Sequence, residues 1–182
     1  MTGPPAIDDV LAFWRGAGPD RWYTRDTDFD KSVRERFLDL WREAVAGQLS
    51  SWEDSDEGTL ALVVVLDQFP RNMFRGDAKA FSSDALAREV ATRALARGVD
   101  KRIQPPLLQF LYLPFMHSEE LEDQIRCVLL FQGGDDAENL RYAEEHADII
   151  RRFARFPHRN HALGRITTPE EQAFLDAGGF SG

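Results

Sequence analysis

The sequence predicts an all-α protein of stacked antiparallel helical hairpins, with no sheet, as one domain over residues 1–182. Three observations lead there. Apolar residues recur at three- and four-residue steps wherever a period can be read. Proline, glycine and short polar residues cut the chain into helix-length pieces. The links between pieces are short, which makes consecutive helices antiparallel neighbours.

The first piece, "PPAIDDVLAFW", puts prolines in a first helical turn and aligns Ile7, Val10, Leu11 and Trp14 on one face. "DFDKSVRERFLDLWREAVAG" places Phe29, Val33, Phe37, Leu40, Trp41 and Ala44 on one stripe and ends near Gly47. "GTLALVVVLDQF" is ambiguous, since three consecutive valines suit a buried strand. Its length, and the lack of a strand partner, make it a buried central helix over Thr59–Phe69. In "SDALAREVATRALARG", Leu86, Val90 and Ala94 form the stripe and Gly98 stops the helix. Ser118 is expected to cap a helix whose first turn carries Glu119, Glu120 and Glu122. "DAENLRYAEEHADIIRRFARFP" is expected to be the longest helix, and "TPEEQAFL" opens the last one with a Thr168–Glu171 capping box and Pro169. All four tryptophans lie in the first third, where they fill the seam of the N-terminal helices.

A chain of 182 residues can bury about 70% of its unfolded surface, so neither a disulfide nor a metal is needed for a core. The net charge of −9 argues against nucleic acid as a partner. Cys127 is the single cysteine and points to a reducing compartment. The N-terminus does not read as a secretory signal. The longest apolar run, Leu60 to Leu66, is too short to span a bilayer, so no membrane role is expected. The reading is a soluble, cytoplasmic protein.

Two echoing phrases carry the functional question: "FPRN" at 69–72 and "FPHRN" at 156–160. In both, the residue before proline is pushed from the α region, so both are expected to be helix exits with the Phe ring docked on the core. From Arg151 to Arg165 there are five arginines, His158, His161 and Asn160, without one acid. Glu119 to Asp148, by contrast, holds ten acidic residues against Arg126 and Arg141. Arginine forks beside an amide suit a carboxylate or phosphate, and the competing reading is an internal Arg–acid network. His117, just before Ser118 and beside Glu119, is placed either as an acid–base group or as a residue packed over a helix start. His146 falls on the stripe Tyr142, His146, Ile149, Phe153, Phe156 and reads as a core residue. Asp67-Gln68 closes the most apolar run and needs partners, Arg71 among them. Cys127 lies mid-helix as a small buried hydrophobe. No metal motif, nucleophile elbow or phosphate loop is present, so no metal or cofactor is assigned.

"LDQFPRNMFRG" (66–76), "FLYLPFMHSEELEDQ" (110–124) and "HADIIRRFARFPHRNHALGR" followed by "TPEEQAFL" resemble, in order, the hallmark segments of a bacterial family called domain of unknown function nine-two-four. The opening "VLAFWRGAGPDRWYTRDTDFD" is similar too, so the likeness covers nearly the whole chain. It implies a tetratricopeptide-like stack of helical hairpins and no established activity or catalytic residue. The motif positions include Asp67, Gln68, Arg71, Asn72, His117, Ser118, Glu119, Gln124, His146, His158, Arg159 and Asn160. One departure is Ala154, where the family usually has glycine.

The leading expectation is a binding module. Asp67, Arg71, Asn72, His117, Glu119, His158, Arg159 and Asn160 line a pocket for an anionic small molecule or a peptide carboxylate. An internal scaffold with an outer interaction surface ranks second. An enzyme using His117 or His158 as acid–base ranks third, so enzymatic activity is left open. Ligand identity and oligomeric state are not legible.

Overall fold

Helix start and stop chemistry sets the boundaries of the structure, a computed structural model that describes residues 6–181. Among the described residues there is no strand. The order is α1 (Ile7–Ala17), α2 (Pro19–Trp22), α3 (Thr27–Val45), α4 (Asp56–Val63), a π segment (Val64–Gln68), α5 (Phe69–Met73), α6 (Asp84–Ala96), α7 (Gln109–Met116), α8 (Leu121–Gln132), α9 (Ala137–Phe153) and α10 (Pro169–Asp176). Contacts divide the chain into two compact units: Met1–Arg75 with Lys79–Pro114, and Gly76–Ala78 with Phe115–Gly182.

In the first unit, the Asp26 carboxylate accepts the Asp28 and Phe29 N–H groups and starts α3. All six residues of the α3 stripe are buried. Gly47 and Gly98 follow α3 and α6 in the left-handed conformation, as the stop signals require. Pro4 and Pro5, assigned from sequence to the first turn of α1, lie outside the described residues. The core is aromatic: Trp14 stacks on Trp22, and Phe37 stacks on Phe69 at 4.6 Å. Trp14, Trp22 and Trp41 are buried, while Trp52 is half-buried.

The ambiguous valine run is helical and fully buried. It does not exit at Phe69-Pro70, contrary to the sequence expectation. Phe69 keeps α dihedrals (φ −59°, ψ −40°), and the helix runs on through Pro70 to Met73. The π segment resolves the conflict. Pro70 has no N–H, and its ring would crowd the carbonyl four residues back. Widening the turn lets the Phe69 N–H reach Val64 O, and the Leu66 carbonyl accepts instead from Ser83 Oγ at 2.6 Å. That oxygen in turn accepts the Trp41 Nε1–H at 3.0 Å.

In the second unit, α8 packs against α9 across a short Gly-containing turn. Ser118 does not cap α8; Glu120 holds the cap position, and Ser118 Oγ accepts the Glu120 N–H while donating to Asp123. The last helix starts as expected, with Thr168 and Glu171 in a reciprocal capping box. α9 is not the longest helix. It has 17 residues against 19 in α3, because Ala154 turns left-handed (φ 56°, ψ 12°) and ends it. Phe156 is extended (φ −89°, ψ 110°), so the second Phe-Pro phrase is a helix exit.

Candidate functional site

The candidate residues fall into two groups. Asp67, Arg71 and Asn72 belong to the first unit, and His117, Glu119, His158, Arg159 and Asn160 to the second.

Arg71 occupies the last turn of α5 and is saturated by its own chain. Its guanidinium donates twice to Asp84, at 2.8 and 3.0 Å, and Nη1 also donates to the Asp67 carbonyl (2.7 Å) and carboxylate (3.3 Å). Burial disfavours the charge on Arg71, but the Asp67 and Asp84 carboxylates outweigh it and raise the guanidinium pKa. Gln68 donates to the other Asp67 oxygen at 2.6 Å. Asn72 donates to Asp30 of α3 at 2.8 Å, and Arg75 grips the same carboxylate with two bonds. The group ties α5 to α3 and to the start of α6.

The second group gathers around two glutamates. Glu119 accepts the Phe156 N–H at 2.8 Å and a two-point contact from Arg165 at 2.7 and 2.9 Å. Burial works against ionisation of Glu119, but Arg165 and the Phe156 amide hold its pKa below the ordinary value. Glu171 accepts two bonds from Arg155 (2.6 and 2.8 Å), one from Asn160 Nδ2 (3.1 Å) and one from the Thr168 N–H (2.8 Å). The Arg155 bonds, followed by the Thr168 amide, bring its pKa down to about 2 against the cost of burial.

Arg159 is buried, with its guanidinium 4.6 Å from the Phe156 ring centroid. His158 is half-buried beside the same ring. His117 is half-buried in the turn that directly follows α7, outside the first turn of α8. His146 is 5% exposed, and its Nδ1 lies 2.7 Å from the Tyr142 carbonyl, which matches its reading as a core residue. Cys127 is buried, and burial pushes its thiol up to about 12, far from a reactive thiolate. Among the described residues, no group of three or more His, Cys, Asp or Glu is arranged to hold a metal, and no helix is long and apolar enough to cross a membrane.

Sequence reasoning missed the carboxylate partners. Asp30, Asp84 and Glu171 are distant in sequence from the residues they bind, and only Glu171 carried a local signal, its capping box. Four of the five arginines in the acid-free run Arg151–Arg165 meet a carboxylate in space. Arg151 pairs with Asp148, Arg152 with Glu170, Arg155 with Glu171 and Arg165 with Glu119.

A family model described as bacterial protein of unknown function (DUF924) matches residues 10–179. A solved structure of a protein of unknown function from Agrobacterium tumefaciens is similar at 45% identity and a TM-score of 0.90, covering 94% of this chain and 97% of its own. No curated protein matches the chain.

Proposed function

Because the chain belongs to the DUF924 family of bacterial proteins of unknown function, no activity comes to it by descent, and we propose from its own geometry that it is a helical protein-interaction module. The motif residues act as internal struts, and an outer face of α8 does the binding. An anion pocket built on Arg71 has to displace Asp84 from a two-point contact, and around Arg159 the neighbouring Arg155 and Arg165 already hold Glu171 and Glu119. Replacing such pairs with an external anion gains little, because equivalent bonds are broken.

The observation that carries the proposal is the stripe Leu121, Ile125, Leu129 on α8. These side chains are 40%, 43% and 62% exposed at successive four-residue steps. The partner is an amphipathic helix of another protein, with an apolar stripe and Lys or Arg on its flanks. Charge selects this occupant. Exposed Glu120 and Glu122 adjoin the stripe, and a net charge of −9 opposes close approach by a second copy.

The test uses a fluorescein-labelled lysine–leucine amphipathic helical peptide and anisotropy. Binding by the wild type, weakened at least about tenfold by Ile125→Glu with unchanged melting, and weakened further by salt, supports the reading. Equal affinity of wild type and Ile125→Glu refutes it. So does a wild-type dimer in sedimentation that Ile125→Glu dissociates, since the stripe then holds a second copy.

A further inference from the structure

The exposed face of α8 is charged on one side only, and the charges run in order. Leu121, Ile125 and Leu129 form the apolar stripe along the helix. On one flank, helical spacing sets exposed Glu122 and half-buried Arg126 a turn apart, about 6 Å along the axis. On the other flank the surface turns inward, with Val128 half-buried and Gln124 buried. Glu122 and Arg126 have the spacing of a helix ion pair, yet they do not pair. The Arg126 guanidinium lies over the Phe115 ring instead, 4.6 Å from its centroid. That contact occupies one face of the guanidinium and leaves its N–H edge for an acceptor. Among the described residues, neither Glu122 nor Arg126 forms an ion pair or hydrogen bond through its side chain.

We propose that the helix received by α8 docks antiparallel to it and carries Glu-x-x-x-Lys on the flank that faces Glu122 and Arg126. The inference rests on the α8 reading and adds direction and register to it. Opposite charges have to meet across the seam, as they do between the flanking positions of coiled-coil helices. An antiparallel partner meets Arg126 first and Glu122 four residues later, so its acid precedes its base. A parallel partner needs the reverse order, Lys before Glu. Only the first order also stabilises the partner's own helix, because Glu N-terminal to Lys agrees with the helix dipole and the reverse does not. A helix that forms on binding has an ordering cost to offset, so the antiparallel order is favoured twice. The α8 of a second copy carries the same order, Glu before Arg, and the −9 charge of each chain opposes that pairing.

The probes are two fluorescein-labelled helical peptides with one leucine stripe and identical composition, one with Glu-x-x-x-Lys on the flank and one with Lys-x-x-x-Glu. Anisotropy should show wild type preferring the first by at least about threefold, with the preference shrinking at high salt. Glu122→Arg should abolish the preference. Glu122→Arg combined with Arg126→Glu should invert it, which a difference in peptide helicity alone cannot do. The exposed Glu122→Arg variant decides alone if the double variant does not fold. Equal binding of the two peptides by wild type overturns the proposal, and so does a preference that Glu122→Arg leaves unchanged. Either result, with binding still sensitive to Ile125→Glu, leaves the α8 face standing, whereas binding insensitive to Ile125→Glu refutes the face itself. A wild-type dimer in sedimentation that Glu122→Arg dissociates overturns the proposal as well, because a second copy is then the occupant.

Discussion

Replacing Ala154 with glycine should make the protein more stable. Ala154 ends α9 in the left-handed region (φ 56°, ψ 12°), and its N–H still bonds to Ile150 O at 2.8 Å. An L-residue with a Cβ pays about 1–2 kcal/mol for that conformation. Glycine pays nothing sterically, but its freer unfolded chain takes back about 0.5–1 kcal/mol. Ala154 is exposed, so no packing is lost with its methyl group. The net is a gain of about 1 kcal/mol, or roughly 2–4 °C in melting temperature for a chain of this length. Urea and thermal unfolding followed by far-ultraviolet circular dichroism measure it. Ala12→Gly, at an exposed position inside α1, is the control and should lose about 1 kcal/mol. A neutral or destabilised Ala154→Gly protein, with the control behaving as stated, refutes the argument that the left-handed turn is strained.

Three other outcomes follow from single sites. Glu171 has a folded pKa of about 2 against an ordinary 4.5, so it contributes stability above about pH 4.5 that is lost as the pH falls toward 2. Glu171→Gln should remove that part of the acid limb in a melting-temperature series. The full shift corresponds to about 3 kcal/mol, and solvent at Arg155 brings the neutral-pH loss to about 1–2 kcal/mol. Ser83→Ala should cost about 2–3 kcal/mol in urea titration, because it strands both the Leu66 carbonyl and the Trp41 indole N–H in the core. Gly58→Ala should cost about 2 kcal/mol in the same assay despite alanine's better helix propensity. A Cβ there runs into the Trp52 carbonyl and crowds Ser55 Oγ and Ile7 Cδ1, and the backbone oxygen cannot rotate away.

Local chemistry was enough to read the helices. The α3 stripe, the Thr168 capping box and the left-handed stops at Gly47 and Gly98 each depend on residues a turn or less apart, and all are present. The resemblance to the family also marked Ala154 as the odd residue, though not that its backbone turns left-handed there. The sequence was misleading at Pro70, because the bulge that keeps the helix going depends on Ser83, which takes the displaced Leu66 carbonyl from a different helix start. The electrostatics were equally hidden. A run of five arginines without an acid looks like spare positive charge along the chain, whereas Asp148, Glu119, Glu170 and Glu171 meet four of them in space. Helical periods, and the stops and starts at Gly47, Gly98 and Thr168, are short-range properties that sequence alone determined. Which carboxylate answers Arg71, Arg155 or Arg165 is a long-range pairing that only the folded chain decides, because an unpaired buried charge is costly and its partner comes from whichever element packing brings alongside.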